Sequence, residues 1–219
     1  MQAFDVGSNR GDWTLAALDK GYEVIALEPG KIVKELVKNF IYDPRVKIVN
    51  FAVSDKDFEK IEFYECVEDG LSTINKDWLT DETMPYAGKE FYTTHAYTIT
   101  IDTLVKLYGQ PDLIKIDVEG GEWSVLRGMT KKYGKVAFEW TFETMDQHQE
   151  QLSYLKDLGY TQVAPQFIEH HCQEPNLYYD IESFDLCEWQ KNNSFIWEEA
   201  GWKKSGLRPT ADVGMVWCL

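Results

Sequence analysis

A short apolar run, Gln2–Val6, stops at Gly7 and passes through Ser8-Asn9-Arg10 to Gly11, where a helical pattern begins. Trp13, Leu15, Ala16, Ala17 and Leu18 give that predicted helix, Gly11–Lys20, an apolar face. The next residues repeat the unit: strand Tyr22–Leu27, helix Lys31–Ile41 ended by Asp43-Pro44, and strand Val46–Phe51. Strands alternating with helices predict an α/β fold, with a mostly parallel central sheet and helices on both faces.

Helical periodicity lapses between residues 52 and 101, where Ile61–Tyr64 and Tyr97–Ile101 read as strands around a polar loop. It resumes with strand Asp112–Asp117, helix Glu122–Met129, strand Lys135–Trp140, helix Met145–Leu158 and strand Tyr160–Ala164. Residues 165–209 carry Tyr178, Tyr179, Phe184, Trp189, Trp197 and Trp202 among many acids without a clean period. They read as an insertion covering one end of the sheet, before Val213–Cys218 closes the chain as an antiparallel strand. With 219 residues, 44% of them hydrophobic, the chain can bury one substantial core but is short for two enzymatic domains. The expected organisation is one domain over 1–219, with a core at 1–164, the aromatic insertion at 165–209 and the final strand at 210–219.

A formal net charge of −15 repels polyanions, and no Lys/Arg cluster with interleaved aromatics offsets it locally, so DNA and RNA are poor partners. The four cysteines have no Cys-x-x-Cys spacing, which predicts free thiols and no structural zinc. No apolar run reaches the ~18 residues of a membrane span, and residues 1–5 lack the basic start of a signal peptide; a soluble, cytoplasmic protein is expected.

The chemistry concentrates in two segments. In Asp5-Val6-Gly7-Ser8-Asn9-Arg10-Gly11, glycines at the strand end allow a ligand to approach the backbone closely, but the spacing is not the G-x-G-x-x-G of nicotinamide-binding proteins. Asp5 suits an ammonium group and the turn amides a carboxylate. Glu28, ending the second predicted strand, suits a ribose diol. In Ile114-Lys115-Ile116-Asp117-Val118-Glu119-Gly120-Gly121-Glu122, Lys115 and Asp117 fall on one face of a buried strand, where charge is expensive unless paired or functional. Asp117, at the carboxyl end of that strand, is the first candidate to contact reacting groups. Glu139, ending the next strand, could join it or pair with Lys115; for Lys115 and Glu139 a purely structural ion pair stays open.

These segments, with Leu27-Glu28-Pro29, Asn50-Phe51-Ala52-Val53-Ser54-Asp55, Thr100-Ile101-Asp102-Thr103-Leu104 and Leu126-Arg127-Gly128, resemble the FkbM-type methyltransferase family over residues 4–128. The resemblance implies a Rossmann-like class I methyltransferase fold, S-adenosyl-L-methionine as donor, and O-methylation, commonly of sugars, including deoxyhexoses such as rhamnose or fucose in glycans. The motif lies so near residue 1 that the chain reads as the methyltransferase domain of a larger viral glycan-building enzyme, fused to glycosyltransferase domains. On this reading Asp5, Gly7, Ser8, Asn9 and Gly11 hold the amino-acid end of the cofactor, Glu28 and Pro29 its ribose, and Asn50, Phe51 and Ala52 its adenine.

For in-line transfer to a sugar hydroxyl a base is needed, because the hydroxyl does not ionise unaided near neutrality. Asp117 is the first candidate, Glu139 the second and His148 the third, with Lys115 beside them. His148 is expected to face solvent from its helix. A divalent metal held by Asp117 and another carboxylate is the alternative way to acidify the hydroxyl, but nothing forms a recognisable metal box, so no metal is expected. Trp189 and Trp197 are candidates to stack on pyranose faces, with packing as the equal alternative. A nicotinamide-dependent oxidoreductase and a non-catalytic adenosylmethionine-binding module are the rival readings.

Overall fold

The computed structural model describes residues 1–68, 70–167, 172–199 and 213–219. Its elements are β1 (Gln2–Val6), α1 (Asp12–Asp19), β2 (Glu23–Leu27), α2 (Val33–Phe40), β3 (Val46–Val49), β4 (Ala52–Val53), β5 (Lys60–Cys66), α3 (Asp77–Thr80) and β6 (Phe91–Ile99). They continue with α4 (Ile101–Tyr108), β7 (Leu113–Ile116), α5 (Glu122–Arg127), β8 (Lys135–Thr141), α6 (Met145–Asp157), β9 (Gln162–Phe167), β10 (Tyr179–Asp180), α7 (Leu186–Glu199) and β11 (Val213–Cys218).

The main sheet has the order β10-β9-β11-β8-β7-β1-β2-β3. Strands β8, β7, β1, β2 and β3 run parallel, and β11 inserts antiparallel between β8 and β9. This is the α/β architecture expected from the alternation, Rossmann-like, with its antiparallel closing strand. Side-chain alternation along the strands divides the core into two layers. Phe4, Val6, Ile114, Ile116 and Phe138 pack with Leu104 of α4, Val125 of α5 and Leu155 of α6. Ala3, Ala26, Leu113 and Ala137 pack on the opposite face against Trp13 and Ala17 of α1 and Leu36 of α2. Asp5 and Lys115 lie in the register of this second face, two residues on from Ala3 and Leu113. Strand order reverses beside β1, and open α/β sheets bind ligands outside the carboxyl ends of strands at such a point.

The segment without helical period is a separate three-stranded arm, β4-β6-β5, with β5 and β6 antiparallel from Lys60↔Tyr97 to Cys66↔Phe91. Two expectations are corrected here. The strand placed at Tyr97–Ile101 ends at Ile99, and a helix unseen in the sequence, α4, starts at Ile101. Thr100 is in extended backbone and its hydroxyl accepts from Thr103 N at 3.1 Å, so the β-branched Thr-Ile-Thr-Ile alternation hides an N-cap. The strand placed at Val46–Phe51 breaks at Asn50, after which the chain leaves the main sheet for the arm.

The described part of 165–209 does more than cover one end of the sheet. β9 runs on to Phe167, β10 pairs with β9 at the sheet edge, and α7 sets Leu186 and Trp189 against the layer containing α6. All four cysteines are free. Among the described residues no helix is long and apolar enough to cross a membrane.

Candidate functional site

The turn after β1 is built by close approach. Gly7 has φ +77°, and a Cβ there would stand 1.8 Å from the carbonyl oxygen of Asp117, so the first turn and the end of β7 touch through backbone. The Gly7 and Ser8 amides both donate to Leu27 O at 3.0 Å, and Asp117 N donates to Val6 O at 3.1 Å. The carboxyl ends of β1, β2 and β7 are thereby tied into one rim.

A cleft of about 250 Å³ opens at this rim. It is lined by Gly7 and Asn9 from the turn after β1, Glu28 and Pro29 after β2, Phe51 and Ala52 at the start of the arm, and Asp117 and Glu119 after β7. The arm supplies the remaining side through Phe63, Glu65, Ser72 and Ile74. Of the residues singled out from the sequence, Gly7, Asn9, Glu28, Pro29, Phe51, Ala52 and Asp117 meet here.

Glu28 is 6% exposed, and its carboxylate accepts from Asn9 N at 3.0 Å and Gly30 N at 2.9 Å. Burial raises its pKa above the usual glutamate value, opposed by those two amide donors. A carboxylate oxygen has two lone pairs, so each retains an acceptor site after taking its amide. The side-chain Oδ1 of Asn9 is buried with no partner, an acceptor waiting for a donor. The carboxylates of Glu28, Glu65, Asp117 and Glu119 line the cleft against one cation, Lys31, among the described residues. This acidic lining, with the apolar surface of Phe51 and Ala52 beside it, fits a cationic ligand that carries hydrogen-bond donors and an apolar ring.

Other expected contacts are placed elsewhere. Asp5 is fully buried beneath the turn, where Oδ2 accepts from the Thr14 hydroxyl at 2.6 Å and Oδ1 lies 3.3 Å from Lys115 Nζ. It does not reach the cleft, because it shares the inward register of Ala3. The Ser8 hydroxyl is likewise turned inward, donating to Asp5 O at 2.6 Å. Gly11 serves packing: it begins α1 with φ +97°, and a Cβ there would meet the Phe40 ring of α2 at 2.2 Å. Asn50 braces the acidic wall rather than lining the cleft, its Nδ2 donating to Glu28 O at 2.8 Å and Pro29 O at 3.0 Å.

Lys115, 3% exposed, donates to Gly7 O at 2.8 Å and lies 3.4 Å from Asp117 Oδ2. It thus links the first turn to the Asp117 end of the cleft from behind. The carboxylate oxygens of Asp117, Glu119 and Glu139 lie within 4.8 Å of one another. Glu119 was missed in the sequence, although it stands between Val118 and two glycines. Its backbone has φ +57°, rare for a residue with a side chain, and Trp78 Nε1 of the arm donates to its Oε2 at 3.1 Å. Burial first, then the charge of Asp117, holds its pKa well above the glutamate range. Glu122 accepts from Val118 N at 3.0 Å and Gly120 N at 3.3 Å, and burial lifts its pKa to about 7.

His148 is buried, contrary to the solvent-facing expectation, at 2% exposure. Its Nε2 accepts from Thr141 N at 2.9 Å and its Nδ1 meets Gln151 Oε1 at 2.8 Å, so both nitrogens are used within the fold. It therefore does not serve as a base. Trp189 stacks on Phe167 at 4.9 Å between centroids and meets Trp140 edge-on at 6.2 Å, a packing arrangement. The side chain of Trp197 lies outside the described residues.

Strand order, glycine turn and acidic β2 terminus define a Rossmann-like protein with a ligand cleft at the strand ends. The sequence matches the family model for the methyltransferase FkbM domain over residues 5–161. The chain belongs to the FkbM methyltransferase family, whose members take S-adenosylmethionine as methyl donor. A search of curated proteins finds no match. Among solved structures it is similar to a precorrin-6y C5,15-methyltransferase from Geobacter metallireducens, at 11% identity over 82% of this chain and 76% of that one, with TM-score 0.40. It is similar also to a SAM-dependent methyltransferase from Geobacter sulfurreducens in complex with S-adenosyl-L-homocysteine, at 11% identity over 99% and 82% of the two chains, with TM-score 0.37.

Proposed function

We propose that this methyltransferase acts on oxygen, transferring the methyl group to a sugar hydroxyl, a deoxyhexose such as rhamnose or fucose within a glycan. The observation that carries this is Asp117, a carboxylate on the cleft wall at the carboxyl end of β7, 3.4 Å from the Lys115 ammonium. When bound, S-adenosylmethionine supplies a methyl group that is already electrophilic. The protein's work is to align the acceptor oxygen and take its proton.

Glu28 holds the ribose diol, Asn9 Oδ1 accepts from the cofactor ammonium, and Phe51 and Ala52 flank the adenine. Asp117 takes the proton of the acceptor hydroxyl, and Lys115 steadies the turn and Asp117 together. Carboxylates clustered at the acceptor end favour a neutral polyol and repel phosphate, which supports a glycan rather than a nucleic acid. The Lys115 ammonium already supplies positive charge beside Asp117, so we assign the carboxylate cluster no metal; activity is expected to survive EDTA.

Mass spectrometry of rhamnose- and fucose-bearing glycans incubated with the protein and labelled S-adenosylmethionine tests it. A gain of one methyl on the sugar is expected. Labelled methyl appearing only on nitrogen or carbon acceptors would overturn the assignment.

A further inference from the structure

Glu119, at the proposed acceptor end of the cleft, is an acid whose position is set by the arm. Trp78, 1% exposed, reaches from α3 to donate to its Oε2. A Cβ on Gly120 would stand 2.7 Å from the Trp78 ring, so the loop closes on the indole only because residue 120 is glycine. Asn75, just before α3, adds a bond from Nδ2 to Gly120 O at 3.3 Å. On the other side Glu122 binds the Val118 and Gly120 amides. The loop is fastened at both flanks while Glu119 is held at φ +57°, a left-handed conformation unfavourable for a residue with a side chain. Such strain persists where surrounding structure imposes it, and here it sets Glu119 beside Asp117 on the cleft wall.

We propose that Glu119 is a second catalytic residue, fixed by Trp78 as its positioning residue, which donates a hydrogen bond to the acceptor sugar while Asp117 takes the proton. This rests on the reading of Asp117 as base. In the step, the acceptor O–H bond breaks and its proton passes to Asp117, while the oxygen's electron pair forms the bond to the methyl carbon. The pair of the breaking C–S bond stays on sulfur, and Glu119 begins and ends with its own proton. Two carboxylates this close do not both ionise readily, and Lys115 contacts Asp117, which leaves Glu119 as the partner that keeps hydrogen. Burial and the Asp117 charge act in the same direction and outweigh the opposing pull of the Trp78 hydrogen bond and the Lys115 charge. The charged and titratable groups facing Glu119 are Asp117 and Glu122 on its own loop, Lys115 of β7 and Glu139 of β8.

The first test needs no acceptor. The indole N–H of Trp78, assigned in nitrogen-15 spectra by its loss in Trp78→Phe, reports the charge of Glu119 across a titration. Its midpoint is expected well above the ordinary glutamate value of about 4.3, and the titration is expected to vanish in Glu119→Gln. A midpoint near that ordinary value, or a titration unchanged in Glu119→Gln, overturns the proposal. The second test uses methyl α-L-rhamnopyranoside and methyl α-L-fucopyranoside, with S-adenosylmethionine binding measured by calorimetry for each variant.

Glu119→Gln, which keeps a donor, should hold kcat within about threefold, whereas Glu119→Ala should lose about thirtyfold or more with cofactor affinity retained. Trp78→Phe should lower kcat about tenfold at unchanged cofactor affinity. Equal loss in Glu119→Gln and Glu119→Ala would show an ionised role and sink the proposal while leaving the base reading intact. Full activity in Asp117→Asn would instead remove the base reading.

Discussion

The Lys115 ammonium stands 3.3 Å from the carboxylate of Asp5, and neither side chain is more than 3% exposed. The same ammonium bonds Gly7 O and lies 3.4 Å from Asp117, so one cation joins the buried foot of the first turn to the Asp117 end of the cleft. Removing it strands Asp5 in an apolar layer. Lys115→Met is expected to lower unfolding free energy by about 3–5 kcal/mol, measured by urea denaturation. The double variant Asp5→Leu/Lys115→Met should recover part of that loss, because no buried charge is then left alone; additive losses would contradict the pairing.

Glu28, which we propose holds the ribose diol, accepts from the Asn9 and Gly30 amides. Glu28→Ala removes the diol acceptor and leaves two amides seeking partners. S-adenosylmethionine affinity by calorimetry should weaken at least about thirtyfold, roughly 2 kcal/mol. Wild-type affinity in this variant would place the ribose elsewhere.

His148 is buried, and burial depresses its pKa from 6.5 to about 4. A histidine with a lowered folded-state pKa contributes stability that is present above its unfolded pKa and lost as pH falls through the folded one. Between pH 6.5 and 4 this group should therefore withdraw stability on the order of 3 kcal/mol. In His148→Asn that component should be absent, so the stability difference between wild type and variant narrows on acidification. A difference independent of pH would show that the ring is not held neutral.

Trp189, packed between Trp140 and Phe167, should behave as a structural residue. Trp189→Ala is expected to cost about 2–3 kcal/mol in denaturation while KM for the sugar acceptor stays unchanged. A raised KM at full stability would return it to the acceptor site.

The rim of the cleft could be read along the chain because its residues sit at strand ends, where local pattern fixes position. Gly7, Glu28 and Asp117 follow β1, β2 and β7, and parallel pairing brings those ends together wherever the alternation holds. What lies on either side of a strand was less legible. Asp5 and Lys115 could be placed on an inward face only once pairing put Asp5 opposite Lys115. α4 escaped because Thr100, a strand former by propensity, acts as a cap.

The sequence alone determined the α/β layering and the glycine turn with its acidic strand ends, since two-residue and helical periods and the steric needs of glycine are local properties. Tertiary structure alone decided that Trp78, forty-one residues before Glu119, holds that carboxylate in the cleft. Chain separation carries no trace of such a contact: it exists only when the arm folds back over the sheet and buries an indole whose N–H must find an acceptor.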